Sequence, residues 1–125
     1  LKMKEISYIH AEGYPGGEMK HGPLALIDEK FPTFFVAPQD SFFEKSLSNM
    51  QELKARSGKI ILLTDKESEI PDGLATDILR FPDTLEEFYP FLETIPVQLF
   101  AYYIALLKGK DVDKPRNLAK SVTVE

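Results

Sequence analysis

The sequence has no cysteine. That excludes a disulfide scaffold, a zinc–thiolate site and a thiol nucleophile, and it suits a reducing compartment. It has no excess of positive charge. Fifteen Lys and Arg stand against 20 Asp and Glu, for a formal net charge of −5. Such a chain has no long-range attraction to a phosphate polymer, and no basic stripe interrupts the pattern, so nucleic acid is not an expected partner. There is no glycine-rich phosphate loop of the dinucleotide or P-loop type. There is no secretory h-region at the N-terminus. The longest apolar stretch, around "IPVQLFAYYIALL", is too short and too interrupted to cross a bilayer. The expectation is a soluble, cytoplasmic chain that binds neither membrane nor nucleic acid.

What is present is enough for one domain. The chain has 125 residues, 43% of them hydrophobic, and a domain of that size buries roughly two-thirds of its unfolded surface. "LKMKEISYIHAE" has helical spacing at Met3, Ile6 and Ile9 and lacks a capping residue, as though entered mid-helix. "GYPGG" stops it. In "HGPLALID", Pro23 takes the first position of a helix, where its missing N–H costs nothing. "FPTFFVAP" is a short buried strand. "DSFFEKSLSNMQELKARSG" is a helix with a capping box at Ser41 and Glu44 and a stop at Gly58. "KIILLTD" is a continuous apolar strand of the parallel type, and "DILRFP" is a third, shorter one. "TLEEFYPFLETIPVQLFAYYIALLKGK" is helical, broken or restarted at Pro90 and Pro96, and ended by Gly109. Its segment from Ile95 to Leu107 is apolar all round, so it is expected to be buried between layers. "DVDKPRNLAKSVTVE" reads as an extended tail. Strands alternating with helices give an α/β fold, a three-layer αβα parallel sheet. Three strands are few for it, and the pattern implies a first strand ahead of Leu1.

Few residues carry chemistry. Lys2 and Glu5 are three apart and share a helix face. They make either a solvated ion pair or a carboxylate beside an ammonium that takes and returns a proton. The same helix carries Tyr8, His10 and Glu12. His10 reads as a satisfied structural histidine. His10 and His21 are separated by a Gly/Pro break, so no metal motif forms. Histidine is the side-chain type suited to proton transfer near neutral pH, and the Gly22-Pro23 step fixes the backbone after His21. His21 is a turn histidine or a proton carrier. Lys120 is a tail lysine, a carbonyl nucleophile only where burial or neighbours activate it. From the residues alone, the chain is an α/β domain with candidate proton-transfer groups.

Two stretches go further. "LKMKEISYIHAEGYPGGEMKHGPLALID" resembles sugar isomerase (SIS) domains. The ending "KPRNLAKSVTVE" narrows the resemblance to the glutamine–fructose-6-phosphate aminotransferases (isomerizing), over essentially all 125 residues. In that family a glutaminase domain releases ammonia, and two SIS domains use it to turn fructose 6-phosphate into glucosamine 6-phosphate. The resemblance implies that residues 1–112 are part of the second SIS domain and 113–125 the active-site tail. It implies roles as well. Glu5 shuttles a proton between C1 and C2, and Lys2 lies near it. His21 opens the sugar ring in a neighbouring subunit's site. Lys120 forms a Schiff base with C2, and Ala119 lies in the segment that closes over the sugar. It implies no metal or cofactor. The expected partners are a sugar phosphate, the upstream SIS and glutaminase domains, and a second copy in a homodimer. The phosphate-binding residues belong to the first SIS domain, so the 125-residue chain alone is expected to be inactive. Two other readings fit a SIS domain: a sugar-phosphate-sensing regulatory module, which has no need of Glu5 or a Schiff-base lysine, and another phosphosugar isomerase or deglycase.

Overall fold

In a computed structural model, residues 1–117 are described. They fall into two compact units, Leu1–Gly13 with the chain from Thr94 on, and Tyr14–Glu93. The helices are α1 (Lys2–Ser7), α2 (Phe43–Lys54) and α3 (Tyr89–Leu107), and the strands are β1 (Pro32–Val36), β2 (Lys59–Asp65) and β3 (Asp77–Phe81). Tight 3₁₀ turns cover Gly16–His21, Pro23–Leu26 and Glu86–Phe88.

The unit Tyr14–Glu93 is built on the sheet. Its strands run in the order β1-β2-β3, parallel throughout, with Phe35 opposite Leu62 and Leu62 opposite Ile78. This is the α/β parallel arrangement expected from the alternation of strands and helices. β2 is the middle strand, and Ile60, Leu62 and Leu63 are fully buried. A strand covered on both faces has to be apolar at successive positions rather than alternate ones. β3 is an edge, with Ile78 and Leu79 exposed. α2 packs on β2 through Met50 and Leu53, both fully buried.

The start of α2 differs from the expected capping box. No side chain caps it, and its N-cap is Phe42. The Asp40 carboxylate accepts the Phe42 N–H at 2.8 Å and the Asp40 carbonyl accepts the Phe43 N–H at 3.1 Å, so an aspartate one residue upstream of Ser41 turns the chain into the helix. The end differs too. Gly58 N–H reaches Leu53 O at 3.0 Å and Ser57 N–H reaches Lys54 O at 3.0 Å, the bonding pattern of a Schellman motif. Its left-handed residue is Ser57, with φ 61°. Gly58 is needed for space instead: a Cβ there would stand 2.7 Å from Ile27 Cγ2 and 2.9 Å from Leu53 O. At the end of α3 the same motif has glycine in the left-handed place, Gly109 with φ 62°, and Lys110 N–H on Ala105 O at 2.9 Å.

α1 is shorter than its spacing predicts, and Ile9 lies outside it. The Ser7 hydroxyl bonds back to the Met3 carbonyl at 2.6 Å, a competitor for helix bonding, and Tyr8 then turns left-handed at φ 57°, ψ 30°.

α3 corrects two expectations. Neither proline breaks it. Pro90 sits in its first turn, where no intrahelical N–H is needed, and Pro96 is carried inside. Nor is it buried. From Ile95 to Leu107 only Ala101 and Ala105 are buried, while Ile95, Val97, Leu99, Tyr103 and Leu107 are exposed, Leu107 by 84%. With the preceding turn it makes 22 continuous helical residues, Glu86–Leu107, long and apolar enough to cross a membrane by length and composition. Core helices of soluble proteins pass the same test, so this corrects the length expected of the stretch and does not make it a span. The described part of the tail is turned rather than extended. The Asp111 carboxylate accepts the N–H groups of Asp113 at 2.9 Å and Lys114 at 3.0 Å.

Candidate functional site

α1 brings Lys2 and Glu5 together. The Lys2 Nζ donates to Glu5 Oε2 at 2.8 Å, and the glutamate side chain keeps 29% of its surface open. A helical i, i+3 spacing lays the two side chains along one face, so a carboxylate that solvent or a ligand can reach is held against an ammonium. This arrangement can accept a proton and return it without leaving the site.

His21 stands at the end of the Gly16–His21 turn. Gly22 follows with φ 147°, a conformation side chains rarely adopt, and Pro23 opens the next turn. The Gly-Pro step therefore fixes the backbone after the histidine as the sequence suggests, although the turns on both sides are 3₁₀ rather than α. The ring has a partner the sequence reading missed. His21 Nδ1 lies 2.7 Å from Glu18 Oε2, with the histidine side chain 73% exposed. An ionised carboxylate only accepts, so this contact puts the hydrogen on Nδ1 and leaves Nε2 to do chemistry. The E-x-x-H spacing over a tight turn was the available signal. Glu5 and His21 belong to different compact units.

His10 is not the satisfied structural histidine expected. It is exposed, and its nearest acid is Glu12 at 3.7 Å. Among the described residues no group of three or more His, Asp or Glu is placed to hold a metal ion. Lys120 and Ala119 lie outside the described residues. The tail is described as far as Asn117, and Arg116 meets Tyr8: its backbone N–H donates to the Tyr8 hydroxyl at 2.9 Å, and its guanidinium carbon lies 4.2 Å from the ring centre. Lys4, Ile9, His10 and Asn117 line an open cleft of about 260 Å³ with these two residues.

Asp65 is the other residue that sequence reasoning passed over. It ends β2 at the carboxyl edge of the parallel sheet, where α/β proteins place their ligands, and it is 2% exposed. It accepts the Gln39 N–H at 2.6 Å, the Ser68 N–H at 3.1 Å and the Ser68 hydroxyl at 2.6 Å. Burial alone raises its pKa, but the bonds from Ser68 and Gln39 outweigh that and hold it below the usual 3.8. Arg80 closes the same loop over the carbonyls of Asp65, Lys66 and Ser68 at 2.8, 3.1 and 3.0 Å. These bonds tie two loops at the sheet's carboxyl edge, a structural role.

The chain is similar to known proteins over its whole length. The SIS domain family matches residues 1–108. The glutamine–fructose-6-phosphate aminotransferases (isomerizing) of Pseudomonas syringae and Bacteroides thetaiotaomicron are 54% and 56% identical over 125 residues, and that of Brucella abortus 58% over 128. Each covers all of this chain, which spans 20–21% of its length. A solved structure, the C-terminal domain of glucosamine-fructose-6-phosphate aminotransferase from Francisella tularensis, superposes with a TM-score of 0.80 at 46% identity, covering 89% of this chain and 31% of that one. With the parallel sheet and more than four-fifths of its length matched, the chain belongs to the SIS domain family.

Proposed function

We propose that this chain is the C-terminal part of the isomerase of an enzyme that makes glucosamine 6-phosphate from fructose 6-phosphate and glutamine. The observation that carries the reading is the Lys2–Glu5 pair, a reachable carboxylate held by an ammonium at 2.8 Å, in a chain whose relatives bear that enzyme's name over its whole length.

The chemistry balances with these residue types. His21, through the Nε2 left available by its Glu18 contact, moves the proton that opens the sugar ring. The Lys120 amine condenses with the C2 ketone, and water leaves. Ammonia then displaces the lysine from C2, giving an imine on the sugar and returning the amine. An imine at C2 acidifies the C1 hydrogen. Glu5 takes that proton from C1 and returns it to C2 while the C1 hydroxyl proton passes to the imine nitrogen, converting the ketose imine to a 2-amino aldose with no net proton consumed. Lys2 holds the carboxylate in place, and Ala119 belongs to the segment that closes over the sugar. The phosphate and the ammonia are handled by the upstream SIS and glutaminase domains, and His21 acts in a second copy's site. Alone, the 125-residue chain makes no glucosamine 6-phosphate.

The test is a chimera in which this chain replaces the matching segment of the Bacteroides enzyme. It is expected to make glucosamine 6-phosphate, and borohydride with fructose 6-phosphate is expected to label Lys120. The Glu5→Gln variant is expected to lose about 100-fold or more in rate, the usual worth of a positioned general base. Full activity in Glu5→Gln would remove the shuttle. An active chimera labelled elsewhere than Lys120 would remove the Schiff base. A chimera that binds the sugar phosphate and never turns it over would favour the regulatory module.

A further inference from the structure

Tyr8 has no role in the chemistry above, yet both its backbone and its side chain are held. It is three residues beyond Glu5 and closes the same helix. Its backbone is left-handed, at φ 57° and ψ 30°. A bulky aromatic residue rarely adopts that conformation and keeps it only where its surroundings enforce it. Here the surroundings are the base of the tail. The Arg116 N–H donates to the Tyr8 hydroxyl at 2.9 Å, across 108 residues of sequence. The Arg116 guanidinium lies over the ring at 4.2 Å and the Lys110 ammonium at 5.7 Å. The tail reaches the ring already shaped, because Asp111 binds the N–H groups of Asp113 and Lys114 and Pro115 is buried.

We propose that Tyr8 is a positioning residue, a latch that holds the base of the C-terminal tail to the helix carrying Glu5. This rests on the reading of Glu5 and Lys120 given above. One side chain grips Arg116 in two ways: its hydroxyl fixes the backbone and its face holds the guanidinium. Lys120 follows Arg116 by four residues, and four residues of chain reach at most ~14 Å. Fixing Arg116 to the Glu5 helix therefore bounds the distance between the proton shuttle and the amine that must act on the adjacent carbon. A solvated tail would pay that ordering entropy at each turnover.

The experiment uses the chimera described above, whose own activity first checks the underlying reading. In the active chimera, Tyr8→Phe removes only the hydroxyl and is expected to lower kcat about fivefold, the worth of one hydrogen bond. Tyr8→Leu also removes the ring and is expected to lower kcat about 30-fold. KM for fructose 6-phosphate should stay within about threefold, since the sugar's phosphate is held elsewhere. Borohydride labelling of Lys120 should fall in step with kcat, and glutamine hydrolysis should not change. Because both act through one contact, adding Arg116→Lys to Tyr8→Leu should cost little more than Tyr8→Leu alone. Should Tyr8→Leu unfold the protein, Tyr8→Phe and Arg116→Lys carry the same test. Lys120 labelling unchanged in these variants would overturn the latch, as would effects that simply multiply.

Discussion

The two compact units hold themselves together by different physics. Tyr14–Glu93 is held by burial: Met50, Leu53, Ile60, Leu62 and Leu63 are wholly withdrawn from water. The unit of Leu1–Gly13 and the chain from Thr94 has small buried residues, Ser7, Ala101 and Ala105, and its ties are polar: Lys2 with Glu5, and Tyr8 with Arg116. Buried apolar area stabilises at about 25 cal/mol per Å² whatever the exact contacts, whereas an exposed polar tie is worth little and fixes geometry. The first unit is a scaffold, and the second holds the Lys2–Glu5 pair on which the proposed function rests.

The sharpest way to break that comparison is to shave a leucine from each. Leu62→Ala, in the middle of β2, is expected to destabilise by about 2–5 kcal/mol, the range for a buried leucine. Leu107→Ala, at the exposed end of α3, should shift stability by no more than ~0.5 kcal/mol. Urea unfolding of both variants measures this. Equal losses would mean that the face of α3 is covered and that the contrast is false.

Next in size is Asp65. Replacing it with Asn puts a donor where three donors converge and should cost about 2–3 kcal/mol, as for a buried group left mispaired. The pH dependence has a definite sign. The folded pKa lies below the usual 3.8, so the carboxylate's contribution is present above that value and lost as pH falls through the lower, folded one. Melting curves from pH 7 down to 2 should show Asp65→Asn approaching the parent at the acid end. A constant gap would leave the bonds without their electrostatic part.

Glu93 lies in the same unit and should respond the opposite way. One of its carboxyl oxygens is buried with no hydrogen-bond partner, and burial, then Asp40, raises its pKa above the usual 4.5. Stability from the neutral form is therefore full below 4.5 and lost as pH rises through the raised value. Glu93→Gln should flatten that limb, making the variant relatively more stable at pH 7 than at pH 4. A relative loss at pH 7 would show that the carboxylate is satisfied by a group that Gln cannot replace.

What was legible in the sequence follows the same division. "KIILLTD" announced β2 to the residue because a strand buried on both faces must be apolar at successive positions. Gly109 ended α3 as expected because the left-handed position fell on glycine. Other features were illegible for physical reasons. In α2 the left-handed position fell on Ser57, which the pattern does not mark, and the glycine beside it serves space. An apolar helix looks the same whether or not something covers it, so the exposure of α3 was beyond pattern. For the site, the Lys2–Glu5 pair was readable because helical spacing is local. The Tyr8–Arg116 contact was not, since the chain closes over 108 residues to make it, and Lys120 falls outside the described residues.

The smallest expected effect concerns Glu18, and it separates geometry from stability most cleanly. The His21–Glu18 contact is 2.7 Å long between side chains 73% and 60% exposed, so solvent screens it. Glu18→Ala should leave stability within ~0.5 kcal/mol of the parent. Its effect should appear in the ring itself. With the carboxylate present, the hydrogen of neutral His21 belongs on Nδ1; without it, imidazole returns to its intrinsic preference for Nε2. Nitrogen chemical shifts of the neutral His21 ring at alkaline pH report this directly, with Nδ1–H dominant in the parent and Nε2–H in the variant. The same tautomer in both would mean that Glu18 does not orient the ring. His21 would then be held only by the Gly22-Pro23 backbone that follows it, a turn histidine whose aim comes from φ and ψ alone.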